Sequence, residues 1–233
     1  GLDGGEARRL LEARDRTGVI IAEAFMVRTH PQWLEVLKRV RRGDLGELRL
    51  VSCHFSYFKD DFSDIRYQRE SGGGGFLDIG CYAVHIARWV LDAEPRRVVS
   101  LVDRHPTHGV DVFTSAILDF GHARATFTVG TLMVPYQRVQ ILGTRGRIEV
   151  EIPFNAPPDR PCRVLVDGGG ALGEDIEHIR VDPVDQFAAQ GDAVSRAIRG
   201  LGPVPVPVED SVGNMNVLDA LFRSETSGAW EKP

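Results

Sequence analysis

From residue 97 onward the sequence takes on the period of strands and keeps it for more than fifty residues. Strand-like runs occupy Arg97 to Val102, Asp111 to Phe120, Ala123 to Thr131, Gln137 to Leu142 and Arg147 to Ile152. Turn residues separate several of them, at Phe120-Gly121-His122 and at Gly143-Thr144-Arg145-Gly146. Successive strands joined this tightly imply a mostly antiparallel sheet. An earlier run, Glu47 to Phe58, alternates around Leu48, Leu50, Ser52, His54 and Ser56. Arg163 to Val166 and Ile176 to Val181 read as edge strands, beyond a Pro-rich loop from Asn155 to Pro161. Helical periodicity marks Gly4 to Thr17, stopped at Gly18, and a helix opened by Pro31 and stopped by Gly43 and Gly46. Asp185 to Arg199 and Val208 to Ser227 read as closing helices, joined by the extended Pro203, Pro205, Pro207 ladder. Val19 to Phe25 reads as a short buried strand. The expected class is α+β: one large, mostly antiparallel sheet with helices packed on one face.

Composition narrows the functional classes. The 233 residues are 42% hydrophobic, enough for a real core, and the net charge of −5 argues against a nucleic-acid partner. The densest basic cluster, Lys38-Arg39 with Arg41-Arg42, reads as a solvated helix face near Glu35. No apolar run approaches the roughly 20 residues of a membrane helix, so no membrane partner is expected. Cys53, Cys81 and Cys162 lack CxxC spacing and read as reduced thiols of a cytoplasmic protein. The only lysines are Lys38, Lys59 and Lys232, so chemistry needing an amine has few candidates here.

The candidate site follows the glycine run Ser71-Gly72-Gly73-Gly74-Gly75. Asp78 and Tyr82, four apart, share a helix face with His85, while Phe76, Ile79, Ala83, Ala87 and Val90 form the opposite, core-directed stripe. A face carrying Asp, Cys, Tyr and His resembles a pocket wall. The plainer reading is that Asp78 caps a first helical turn and Tyr82 is core. The glycines, ending at Gly75, permit a backbone to approach a ligand closely, or simply form a flexible loop. They do not make a G-x-G-x-x-G dinucleotide loop. His105-Pro-Thr-His108 has no defensible zinc spacing, so no metal is expected. No serine or cysteine nucleophile motif is present.

Three stretches together resemble the glucose–fructose oxidoreductase/inositol dehydrogenase (Gfo/Idh/MocA) family. They are Glu23-Ala24-Phe25-Met26-Val27-Arg28-Thr29-His30-Pro31-Gln32, Gly73 to Tyr82, and Val208 to Ala220. The resemblance runs essentially end to end. Tyr82, four after Asp78, is similar to the branch holding xylose and dihydrodiol dehydrogenases. It implies that residues 1–27 are the last helix and strand of a largely missing nucleotide-binding Rossmann domain. Residues 28–233 would then be an α+β substrate and oligomerisation domain. It implies NAD or NADP bound mainly by the missing part, and a sugar or polyol oxidised at its CH–OH group. Asp78 and Tyr82 would be catalytic. Arg28, His30, Arg66, Gly75 and His85 would touch substrate or cofactor. A phenol with pKa near 10 is about three units too high for a base at neutral pH, and a nearby lysine ammonium would lower it. The family's Glu-Lys-Pro lysine is not upstream here, and the terminal Glu231-Lys232-Pro233 reads as a chance match. The chain alone is expected to be inactive and to form a homodimer or homotetramer through the sheet. A non-catalytic sugar-binding or scaffold domain, or an NAD-dependent glycoside hydrolase, are the alternatives.

Overall fold

The computed structural model describes residues 1–170, 172–173 and 175–233. Its centre is one eight-stranded sheet. In chain order the strands are β1 (Leu48–Phe58), β2 (Arg97–Arg104), β3 (Asp111–Asp119), β4 (Arg124–Gly130), β5 (Leu132–Gly143), β6 (Arg147–Val150), β7 (Cys162–Asp167) and β8 (Glu177–Val181). Across the sheet the order is β2-β3-β4-β1-β5-β6-β7-β8. Every pairing is antiparallel except β1 with β4. That one parallel pair arises because β4 and β5 lie on opposite sides of β1, with only Thr131 between them. The link crosses the end of β1, where Lys59 N–H donates to the Thr131 carbonyl at 3.0 Å.

The two-residue period of the strands divides the sheet into a filled face and an open one. Ala116, Phe127, Cys53, Val139, Val150 and Val164 stand side by side in register across six strands, and all are buried. On the other face the neighbouring row runs Val99, Ile117, Thr126, Ser52, Gln140 and Glu149. Five helices cover the filled face or pack onto its cover: α1 (Gly4–Thr17), α2 (Pro31–Arg42), α3 (Cys81–Leu91), α4 (Gln186–Ile198) and α5 (Val208–Ser227). The sheet receives α3 at β1, α5 at β2 and α2 at β7. α1 lies along α5, with Gly4 N–H donating to Asp219 at 2.9 Å and Arg8 to Asn216 at 2.8 Å.

Three elements differ from the sequence expectation. Val19 to Phe25 is not a buried strand. It makes one bridge, Ala22 with Pro207, and Ile20 is 45% exposed. A strand needs neighbours along its length, and here only residues 206–207 run beside it. β7 is not an edge strand, because β8 continues the sheet outside it. The helix after the glycine run opens with a π-helical turn, Phe76–Gly80, before α3 begins.

The close approach that the glycines permit is to Asp111, at the start of β3. Its Oδ2 accepts the Phe76 N–H at 2.6 Å. Gly74 has φ of 118°, and a Cβ added there would overlap Asp111 Oδ1. Both the backbone angle and the space therefore require glycine. Gly74→Ala is expected to cost about 2 kcal/mol or more in urea unfolding. Gly168→Ala, where a Cβ meets nothing within 4 Å, is expected to change stability by less than about 0.5 kcal/mol.

Candidate active site

Two separate elements deliver side chains to one carboxylate. Asp78 stands in the π-helical turn. Tyr57 is the last inward position of β1, in phase with Val51, Cys53 and Phe55. Its hydroxyl donates to Asp78 Oδ2 at 2.5 Å. Arg66, from the short 3-10 turn Ile65–Tyr67, donates through Nε to both Asp78 oxygens at 3.1 Å. Arg66 is itself held by Asp64 at 3.2 Å, and Asp64 takes Lys59 Nζ at 2.9 Å. The Arg66 backbone N–H, Lys59 and the Arg66 side chain together hold the Asp64 carboxyl down at about 2.

Tyr82 begins α3 one turn further on. Its ring is enclosed by Phe25 at 5.1 Å, Phe154 at 5.6 Å and Phe55 at 6.3 Å between centroids. Burial, reinforced by Cys81, Asp78 and Glu23, pushes its phenol up to about 12. Burial and the bond to Asp78 push Tyr57 up as well. Asp78 and Tyr82 together separate two cavities. The larger, about 420 Å³, is bordered also by Glu23, Phe25, Leu77 and Cys81. The smaller, about 210 Å³, is bordered also by Phe55, Tyr57, Arg66, Phe154 and Asn155. Phe55 and Phe154 stack at 4.6 Å to form its apolar wall.

The fold brings together Asp78, Tyr82 and Arg66, with Gly75 just before them against Asp111. Arg28, His30 and His85 lie elsewhere. Arg28 stacks over Trp89 at 4.4 Å and donates to the Pro205 carbonyl at 3.2 Å. It borders a different cavity, with Arg41, Arg88 and Asp210. His30 caps α2, its Nδ1 accepting the Gln32 N–H at 3.2 Å. His85 is fully buried, stacked on Phe25 at 4.2 Å, with Nδ1 3.2 Å from Asp210. Burial lowers its pKa against the pull of Asp210. Phe25 and Asp210 thus cover the ring, which borders neither cavity. Lys232 follows Glu231, which bridges to Val98 on β2, and it too borders neither cavity.

Sequence reading missed Tyr57, Phe55, Phe154 and Asn155. The strand period contained a signal for one of them. A polar ring continuing the buried phase of Val51, Cys53 and Phe55 requires a partner for its hydroxyl. Among the described residues no cluster of three or more metal-ligating side chains occurs. His105 Nδ1 instead accepts the N–H groups of Thr107 and His108, at 3.2 and 3.3 Å.

A family model described as the GFO/IDH/MocA C-terminal domain matches residues 33–149. An uncharacterized oxidoreductase of Rhizobium meliloti is 42% identical over 99% of this chain and 70% of its own length. The D-xylose 1-dehydrogenase (NADP(+)) 2 of Haloferax volcanii is 31% identical, over 96% of this chain and 68% of its own. A solved 3-ketoreductase of Actinomadura kijaniata, in complex with NADP and TDP-benzene, superposes with a TM-score of 0.86. It is 27% identical, over 95% of this chain and 67% of that one. The chain belongs to the GFO/IDH/MocA family.

The two cavities, about 420 and 210 Å³, are both bordered by Asp78 and Tyr82. Among the described residues no strand passes directly through a glycine-rich turn into a helix, the arrangement that holds a pyrophosphate. These residues therefore do not fit the phosphates of a dinucleotide, and Asp78 and Tyr82 beside the larger cavity are the groups that would face its reacting end. Tyr82 provides a check on the site that needs no substrate. Its folded pKa, about 12, lies above the ordinary 10. The stability linked to its proton is full below pH 10 and is lost as pH rises through about 12. Tyr82→Phe should flatten the alkaline stability profile in that window by up to about 1.4 kcal/mol per pH unit. Thermal or urea unfolding between pH 9 and 12 measures it.

Proposed function

We propose that this chain is the catalytic and substrate-binding part of an NAD(P)-dependent oxidoreductase acting on the CH–OH group of a sugar or related polyol. The carrying observation is that Asp78 and Tyr82 border both cavities. The named activity of the Haloferax volcanii relative and the NADP complex of the 3-ketoreductase support the reading and favour NADP. When bound, NADP supplies the hydride chemistry. Tyr82 exchanges the proton of the reacting hydroxyl, and Asp78 positions a lysine ammonium or a substrate hydroxyl. A phenol raised to about 12 is a poor base at neutral pH, so the site needs a cation beside it. Lys59 cannot serve while paired to Asp64 at 2.9 Å. The relatives are longer than this chain, which spans 70% and 68% of the first two, and we assign the cation to that additional length. Residues 1–27 belong with that additional length in this reading, and exposed Val19 and Ile20 support it. Residues 28–233 form the substrate and oligomerisation domain.

The test is sugar-dependent NADP reduction by the protein extended to the length of its relatives. Activity there, with none from residues 1–233 alone, is the expected result. Tyr82→Phe in the long form should lower kcat by about 10²- to 10⁴-fold. Turnover unchanged by that substitution would remove Tyr82 from the role.

The open sheet face supports a second part of the reading, self-association into a dimer or tetramer. Leu101 is 74% exposed there, and Phe113 and Ile117 are exposed on the neighbouring β3. Large apolar side chains grouped in the open on one sheet face are a feature of interfaces. Leu101→Arg with Ile117→Arg should yield monomers in sedimentation velocity. An unchanged oligomer, or a wild-type monomer at micromolar concentration, would place the interface elsewhere or remove it.

A further inference from the structure

Two phenols border the smaller cavity, and their hydroxyls are in different situations. Tyr57 directs its proton into Asp78 Oδ2. Tyr82 has no hydrogen-bond partner on its hydroxyl among the described residues. The Asp78 carboxylate has about four acceptor positions. Tyr57 and Arg66 Nε both use Oδ2, whereas Oδ1 takes Arg66 Nε alone. Oδ1 is therefore the oxygen with room for a further donor. A carboxylate on an ordinary side chain turns about its last torsion over a broad range. Here two donors from two other elements, β1 and the 65–67 turn, stop that rotation.

The geometry points to Tyr57 as a positioning residue, which acts with Arg66 to hold Asp78 turned so that Oδ1 is left open to the bound substrate. This inference rests on the oxidoreductase reading above. It gives Tyr57 no part in proton exchange, because its proton is committed to the carboxylate. The two tyrosines thus divide the work. Tyr57 fixes the acceptor, and Tyr82 is the phenol left free to exchange a proton. Arg66 already shares its Nε–H between the two oxygens, so the donor that distinguishes them is Tyr57. Arg66 Nε lies equidistant from the two oxygens, and Tyr57 biases which of them is crowded. Without Tyr57, Arg66 Nε alone holds the carboxylate, equally through both oxygens, and nothing fixes which oxygen is left open. Such a loss acts on the orientation of bound substrate, so it appears in kcat before KM.

The experiment is steady-state kinetics of Tyr57→Phe in the protein extended to the length of its relatives. Phenylalanine preserves the ring that packs at the end of β1 and removes only the donor. The expected result is a kcat lowered 10- to 100-fold, KM for sugar and for NADP within about threefold of wild type, and a melting temperature within a few degrees. A kcat within twofold of wild type overturns the role. So does a loss confined to the sugar KM, which would make Tyr57 a substrate contact instead. If Tyr57→Phe melts well below wild type, Arg66→Lys decides by the same split. That variant keeps the charge but removes the planar grip on two oxygens. Wild-type protein without sugar-dependent reduction overturns the oxidoreductase reading itself, an outcome distinct from an active wild type with an indifferent Tyr57→Phe.

Discussion

A single buried carboxylate fixes where the site begins. Asp111 opens β3 and accepts the Phe76 N–H, and so ties the start of the π-helical turn to the sheet. Burial pushes its pKa up to about 6, against the pull of that N–H and of Arg104. The carboxylate can stand there only because Gly74 has no side chain. Everything downstream inherits this register. Asp78 lies two residues beyond Phe76, and Tyr82 one turn beyond that. A slip of one residue would turn Asp78 away from Tyr57 and Tyr82 away from its three phenylalanines.

Electrostatically, the site joins a buried phenol to one committed, partly exposed ion network. Lys59, Asp64, Arg66 and Asp78 form a chain of alternating charge along the loop between β1 and the glycine run. The network orders that loop and cancels its own charge, so little field remains to ease ionisation of Tyr82. Burial then dominates, and the phenol is raised where a base would need it lowered. A phenol raised in this way needs a cation beside it before it can act as a base at neutral pH.

The sheet supplies both rigidity and a surface. β1 is paired on both sides along most of its length, so Phe55 and Tyr57 are held by backbone bonds to β4 and β5. Site residues that stand on such a strand are placed more firmly than those on loops. The same sheet leaves its second face uncovered, with Leu101 and Ile117 in the open.

Periodicity and punctuation in the sequence determined the elements. Val208 to Ser227 is a helix to the residue, and the strand runs from Arg97 to Ile152 all form, because local hydrogen bonding and a buried stripe act together over such lengths. That Asp78 and Tyr82 share a face was also legible, since helical spacing is a local property; that two cavities meet there was not. Contacts between distant segments were not. Only the folded chain decided that Tyr57 meets Asp78 and that Asp111 fills the space the glycines leave. Only it decided that His85 is sealed by Phe25 and Asp210. Helical spacing places a side chain on a face, but whether that face opens to a cavity depends on what packs over it. The Val19 to Phe25 run makes the same point in reverse. Its residues suit a strand, yet a strand is made by its neighbours, and here a single bridge to Pro207 is all it has.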